Sequence, residues 1–328
     1  MLGSGNAVAS RSVPWIEKHR PVSISEIAHQ DEVTRTLVTA VRTGNIPHLL
    51  FYGPPGTGKT STILACAREL YGPDWRAKVL ELNASDERGI KVVRDKVKNF
   101  AAQVVAGNGP AFKIIILDEA DTMTREAQSA LRRTMETYSK VTRFCLVCNY
   151  VTRIIEPLAS RCAKFRFKPL APQAMNERLR DIANKEGMPL SDELVASVVG
   201  AAGGDMRCAV TTLQSAAALG GVAALEREEI AELSGAVPPS VLAPFWAAVG
   251  ARDFDALQRA VRDALAEGWP VDGLLRALLT TATEDDALTD ETKAKFAASL
   301  AEAEGRLIDG AGEELQLLHV GASMISAA

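Results

Sequence analysis

Eight residues near position 55 restrict this chain more than any others. Gly53-Pro54-Pro55-Gly56-Thr57-Gly58-Lys59-Thr60 fits the pattern G-x-x-x-x-G-K-[ST]. A short apolar run at 48–52 precedes it and reads as a strand, and residues 59–70 read as a helix. In that setting the glycines let backbone N–H groups wrap an anion, and the helix N-terminus adds partial positive charge. The loop is therefore suited to phosphate. Lys59 is expected to reach β- and γ-phosphates, Thr60 to ligate Mg²⁺, and Ser61 to extend the nucleotide contacts.

A second motif completes the first. Lys113-Ile-Ile-Ile-Leu-Asp118-Glu119-Ala-Asp121 is an apolar strand that delivers Asp118 at its carboxyl end, where open α/β sheets place their ligands. Asp118 can hold Mg²⁺, and Glu119 can orient and deprotonate an attacking water. That adjacent glutamate argues for hydrolysis over phosphoryl transfer to another substrate. Asp121 is read as a cap for a helical segment beginning near Thr122. Asn149 ends a fourth strand, placed beside the second in a sheet of this type. Its amide could touch the γ-phosphate or the lytic water, although an Asn after a strand is often only a turn residue.

The first half of the chain alternates strands (48–52, 78–82, 113–117, 142–148) with helices (59–70, 90–105, 125–137), which predicts a parallel sheet covered on both faces. After Pro169 the strand signals stop. Short helices are expected at 172–187, 191–202, 205–219 and 226–234, with Asp205 as an N-cap. Pro238-Pro239 marks a hinge, and residues 240–328 are again helical, with breaks near Gly250, Gly268-Trp269-Pro270 and Gly310. The expected plan is a flexible tail at 1–12, an α/β nucleotide-binding domain at 13–170, a small helical domain at 171–236 and a larger one at 237–328.

Charge divides the chain in a way that composition alone hides. The net charge is −4, yet residues 231–328 hold 7 Lys/Arg against 16 Asp/Glu, and residues 1–230 hold 30 against 25. A polyanion would be met by the first two-thirds. Lys91, Arg94 and Lys98 recur at helical spacing behind Arg88, a basic stripe that could equally be a solvated face. No aromatic residues are interleaved there, which argues against base stacking. The five cysteines form no disulfide framework, and Cys145-x-x-Cys148 lies in an apolar run that reads as a buried strand. No apolar run is long enough to span a bilayer, and the N-terminus lacks a secretory pattern.

Several boxes carry more than physical chemistry. Pro14-Trp-Ile-Glu-Lys-His-Arg-Pro21, Phe51 to Thr60, Leu80-Glu-Leu-Asn-Ala-Ser-Asp-Glu-Arg-Gly-Ile90, Ala130-Leu-Arg-Arg-Thr-Met-Glu136, Ser160-Arg161-Cys162 and Gly204-Asp205-Met206-Arg207 resemble those of replication factor C small subunits, clamp-loader members of the AAA+ ATPases. The stretch from Phe144 to Leu170 looks more like a eukaryotic member than an archaeal one. The resemblance covers residues 13–220. It implies an AAA+ α/β domain, a helical lid and a helical collar, in a ring of five related subunits. Such a ring uses ATP to open a sliding clamp of the PCNA type and place it on primer–template DNA, in replication and repair, in the nucleus.

The resemblance also assigns residues. Arg161 would be an arginine finger acting in trans on a neighbour's ATP, whereas in isolation it would read as a surface ion pair. Arg207 would contact the phosphates of the chain's own nucleotide. Val13, Arg20 and Pro21 would line the adenine pocket. His19 stands where the family commonly has Tyr, and little consequence is expected from it. The helix headed by Arg88, Gly89 and Ile90, with Lys91, Arg94 and Lys98, would face DNA phosphates, with Arg125 as a second contact. Loops at 106–112 and 119–125 would be candidates for touching the clamp. A nucleotide-binding scaffold without turnover and an AAA+ motor remain as alternatives; Lys59, Thr60, Asp118 and Glu119 speak against the first, and the specific boxes against the second.

Overall fold

Period-two alternation sorts the strand side chains of residues 49–148 onto two faces. In a computed structural model, which describes residues 13–27, 30–84, 90–103, 110–219 and 233–327, five parallel strands form one sheet. They are β1 (Leu49–Tyr52), β2 (Val79–Asn83), β3 (Lys113–Asp118), β4 (Thr142–Cys148) and β5 (Ala163–Arg166), in the order β2-β3-β4-β1-β5. The fourth strand therefore lies between the third and the first, not beside the second. That position pairs Leu49 and Ile116 with opposite sides of Cys145. It brings the carboxyl ends of β1, β3 and β4 side by side, where a phosphate-binding loop and its acidic partner must meet.

The helices interleaved with these strands are α1 (Trp15–Lys18), α2 (Asp31–Thr43), α3 (Lys59–Tyr71), the short α4 (Trp75–Lys78), α5 (Ile90–Ala102), α6 (Arg125–Tyr138) and α7 (Glu156–Ala159). Leu49, Phe51, Ile114, Ile116, Cys145 and Val147 pack with Val33 and Leu37 of α2 and Ile63 and Leu64 of α3. Leu50, Ile115, Leu117, Phe144 and Leu146 pack on the opposite face with Val97, Leu131 and Met135 of α5 and α6. Each such fully buried aliphatic or aromatic side chain contributes about 1.5–3 kcal/mol. Cys145 and Cys148 are both buried in this strand, and burial pushes the Cys148 thiol up to about 12.

The amino ends of β3 and β4 are anchored by side-chain hydrogen bonds to backbone groups. Lys113 Nζ donates to the Phe100 carbonyl at 2.7 Å and lies 4.6 Å from the Phe100 ring centre. His48 Nδ1 accepts the Phe144 N–H at 3.1 Å. Burial, and then the Arg143 guanidinium, push His48 down to about 4, so its ring is neutral near pH 7.

Helices α8 (Pro172–Lys185), α9 (Asp192–Ala202) and α10 (Met206–Ala218) follow β5 and belong to the same compact unit, residues 1–223. The expected helix at 226–234 lies almost wholly outside the described residues, as does the N-terminal tail. The second unit, residues 224–328, contains α11 (Pro239–Ala251), α12 (Phe254–Ala266), α13 (Val271–Glu284), α14 (Asp290–Ile308) and α15 (Glu313–Ala327) around Leu257, Leu278, Phe296 and Val320. The break expected near Gly250 is there: α11 ends at Ala251, and Arg252 takes the left-handed conformation at φ 56°. A break at 285–289, absent from the expectations, is closed by Thr289 capping α14. Among the described residues no helix is long and apolar enough to cross a membrane.

Candidate nucleotide site

The phosphate loop is shaped by what presses on its glycines. Gly53 has φ 143°, and a Cβ there would stand 2.2 Å from the Phe167 carbonyl oxygen beyond β5. Gly56 has φ 66°, and a Cβ there would meet Asp205 Oδ1 at 1.6 Å. Asp205 is the N-cap of α10, accepting from the N–H groups of Arg207 at 2.7 Å and Cys208 at 3.1 Å. The Met206 N–H also reaches the Gly56 carbonyl at 3.3 Å. The lid helix thus starts directly on the loop.

Lys59 is nearly buried, and its ammonium donates to the carbonyls of Gly53 (2.8 Å) and Pro54 (2.7 Å) and to Asn149 Oδ1 (2.9 Å). Burial holds its pKa below the ordinary lysine value, Arg207 adds to that, and Asp118, Cys148 and Asp121 oppose it. Asn149 therefore stands within reach of the ion that would meet a γ-phosphate, which a simple turn residue would not need to do. Thr60 Oγ1 donates to Asp118 Oδ2 at 2.7 Å, and the Glu119 N–H donates to Asp118 Oδ1 at 2.9 Å. A hydroxyl and a carboxylate oxygen side by side suit a hard divalent cation.

Glu119 has φ 52°, one of two non-glycine residues with positive φ among those described. The left-handed conformation costs energy for a residue with a Cβ, and it re-aims the side chain away from the strand direction. Asp121 corrects an expectation. The helix after the motif is α6, which starts at Arg125 with Thr124 as its cap. Asp121 Oδ2 instead accepts the N–H groups of Asn149 (3.2 Å) and Tyr150 (3.1 Å), tying the acidic loop to the end of β4. Buried Gln128 extends the tie: it donates to the Met123 and Arg153 carbonyls and accepts the Ile155 N–H at 2.8 Å. No motif announced either role.

These residues face a cavity of about 440 Å³. Pro55 to Ser61, Asp118, Glu119 and Asn149 line one end, and Arg20, Pro21, Ile182, Arg207 and Val210 are among those lining the rest. Gly53 and Pro54 do not line it; their carbonyls hold Lys59 from behind. Val13 does not line it either and is 55% exposed. Trp15 is the first described residue of the chain that does line it.

Arg161 also stands away from the cavity. It forms an ion pair with Glu136 of α6, and its Nη1 donates to the Pro157 carbonyl at 2.5 Å. Arg125 is exposed at the first turn of α6, and Lys98 is exposed on α5. Arg88 and Gly89 lie outside the described residues, as do the side chains of Ile90, Lys91 and Arg94.

A parallel sheet in the order 2-3-4-1-5, a phosphate loop after β1, an Asp-Glu pair after β3, a polar residue after β4 and a helical lid define a AAA+ ATPase. Residues 49–170 match the family of ATPases associated with various cellular activities, residues 177–218 the RCF1/5-like AAA+ ATPase lid domain, and residues 237–323 the replication factor C C-terminal domain. The chain is 50% identical to replication factor C subunit 4 of Arabidopsis thaliana over 98% of its length and 97% of that protein. It is also 50% identical to human replication factor C subunit 4, over 98% of this chain and 90% of the other. The chain belongs to the replication factor C family. It is an ATPase and a subunit of a multi-subunit clamp loader that acts in DNA replication. The RuvB Holliday junction branch migration motor of Thermotoga maritima shares the fold, with a TM-score of 0.52 at 15% identity over 76% of this chain and 89% of that one.

Proposed function

We propose that this chain owns one ATP site and completes a second one on a neighbouring subunit. The observation that carries the proposal is the separation of its two kinds of cation. Lys59 lies in the chain's own cavity against Asn149, whereas Arg161 is held outside it by Glu136. A guanidinium so placed is of no use to its own nucleotide and is available to another.

In the chain's own site, the loop N–H groups of Gly56 to Ser61 and the Lys59 ammonium bind the phosphates, with Gly53, Pro54 and Pro55 shaping the loop ahead of them. Thr60 and Asp118 would hold Mg²⁺, which supplies charge neutralisation of the phosphates when bound. Glu119 takes a proton from the attacking water, and Asn149 orients that water or the γ-phosphate. Arg207, exposed at the start of α10, turns onto the phosphates as the lid settles. Arg20 and Pro21 stand by the base.

The chain acts as one of five related subunits that open a ring-shaped clamp of the PCNA type and set it on primer–template DNA in the nucleus, in replication and repair. Arg88, Gly89, Ile90, Lys91, Arg94 and Lys98, with Arg125, contact DNA phosphates without reading sequence. The domain limits that suit this are 13–170, 171–236 and 237–328. ATP turnover tests the reading. The isolated chain is expected to hydrolyse ATP slowly, and assembly with its partner subunits, clamp and primed DNA to raise the rate on the order of 10³-fold, the range a finger supplied in trans provides. Full turnover by the chain alone would overturn it.

A further inference from the structure

Residues 14–21 precede the sheet in sequence, yet their polar attachments lie elsewhere. The Trp15 N–H donates to Gln214 Oε1 of α10 at 3.0 Å. His19 Nε2 lies 2.5 Å from Glu186 Oε1 at the end of α8, and Lys18 Nζ lies 2.6 Å from the same oxygen. Arg178 of α8 donates from Nη2 to the His19 carbonyl at 2.6 Å, while its Nη1 is held by Asp181 at 2.9 Å. The changeover comes at Pro21, whose carbonyl accepts from Arg68 of α3 at 3.3 Å. Beyond it, the Ile24 N–H donates to Glu69 at 2.7 Å.

The His19–Glu186 contact of the clasp is largely shielded from water, whereas the Lys18 side chain is 52% exposed. The His19 side chain is 7% exposed and that of Glu186 14%. Hydrogen bonds to a carboxylate in such a setting are stronger than those between neutral groups, and removing one partner leaves the others unpaired. Lys18 and then His19 hold the Glu186 carboxyl below its ordinary pKa. The same segment forms cavity wall: Trp15, Ile16, Glu17, His19, Arg20 and Pro21 line it, as do Ile182 and Val210 of the lid. Trp15, Ile16, Pro21, Ile182 and Val210 give this part of the cavity apolar surface beside the polar Glu17 and Arg20, which suits a nucleoside.

We propose that residues 14–21 are a strap that belongs mechanically to the lid, with Glu186 as the positioning residue that clasps it through His19 and Lys18. Because the strap carries the nucleoside wall and α10 carries Arg207, one lid movement engages both ends of the nucleotide. The proposal rests on the reading that Lys59 and its loop hold the phosphates.

The test uses the full chain and two ligands, ATP and inorganic tripolyphosphate, the second having phosphates and no nucleoside. Glu186→Ala is expected to weaken ATP about tenfold, to leave tripolyphosphate within twofold, and to speed amide hydrogen exchange at residues 15–20. Glu186→Gln, which keeps an acceptor for Lys18 and His19, is expected to recover most of the loss. Unchanged ATP affinity in Glu186→Ala would overturn the clasp, and so would a parallel loss of tripolyphosphate, which indicates general damage to the fold. Lys59→Ala separates the underlying reading, since it should weaken both ligands; if it weakens neither, the phosphate assignment fails whatever Glu186 does.

Discussion

Replacing Arg161 with Ala in an otherwise intact loader is expected to slow hydrolysis at the neighbouring subunit's site by a factor on the order of 10³–10⁵. ATP binding to this chain's own site should change less than about twofold, because Arg161 does not line the cavity. The guanidinium is not idle in the single chain. It rests on Glu136, which Arg132 also approaches at 3.5 Å, and on the Pro157 carbonyl. Exposed ion pairs of this kind are worth about 0–1 kcal/mol, so exchange for a neighbour's phosphate is not strongly opposed. The measurement is single-turnover hydrolysis in rings carrying the variant in this position only. Normal rates at every site would remove the finger assignment.

The second large effect concerns the chain's own site. Glu119→Gln is expected to lower hydrolysis there about 10²- to 10⁴-fold while leaving ATP affinity within about threefold, since the amide keeps the shape and loses the base. The geometry favours a role in turnover over one in binding. Lys59, Thr60 and Asp118 are joined through hydrogen bonds to one another's surroundings, whereas the Glu119 backbone is held at φ 52° with its N–H on Asp118 Oδ1. A residue kept in that conformation leaves the strand direction, while Asp118 stays hydrogen-bonded to Thr60. Retained hydrolysis with trapped ADP equal to wild type would argue that another group takes the proton.

Much of this site was legible because its chemistry dictates residue types at fixed spacing. Gly53 to Thr60 and Asp118-Glu119 could be placed on strand ends before any coordinates, and Asn149 followed from the end of β4. Arg161 and Arg207 came from the family boxes alone; neither spacing nor charge would have singled them out. The strand order was less accessible, since parallel pairing depends on crossovers that local pattern does not encode. Edge strand β5 escaped because Lys164 and Arg166 alternate with half-buried neighbours and no apolar run forms. Helix α2 was not among the expected helices, although Val33, Leu37 and Val41 recur at a spacing of four.

What the sequence could not carry is long-range polar pairing. Asp121 looked like a cap because it precedes a helix by a few residues, and only the fold brings Asn149 and Tyr150 over it. His19 looked like a neutral replacement, and its partner Glu186 lies 167 residues away. Asp205 was read as a cap and is one, but its contact with Gly56 joins lid to loop across 149 residues, which no local spacing reveals.

The most direct test of the central claim, that this ATPase works as one member of a mixed ring, is native mass spectrometry of the tagged chain purified from its source with ATP present. The expected result is one copy of this chain with four related subunits, and a ring-shaped clamp bound to a share of the complexes. A homo-oligomer of this chain alone, active in hydrolysis without other subunits, would contradict it.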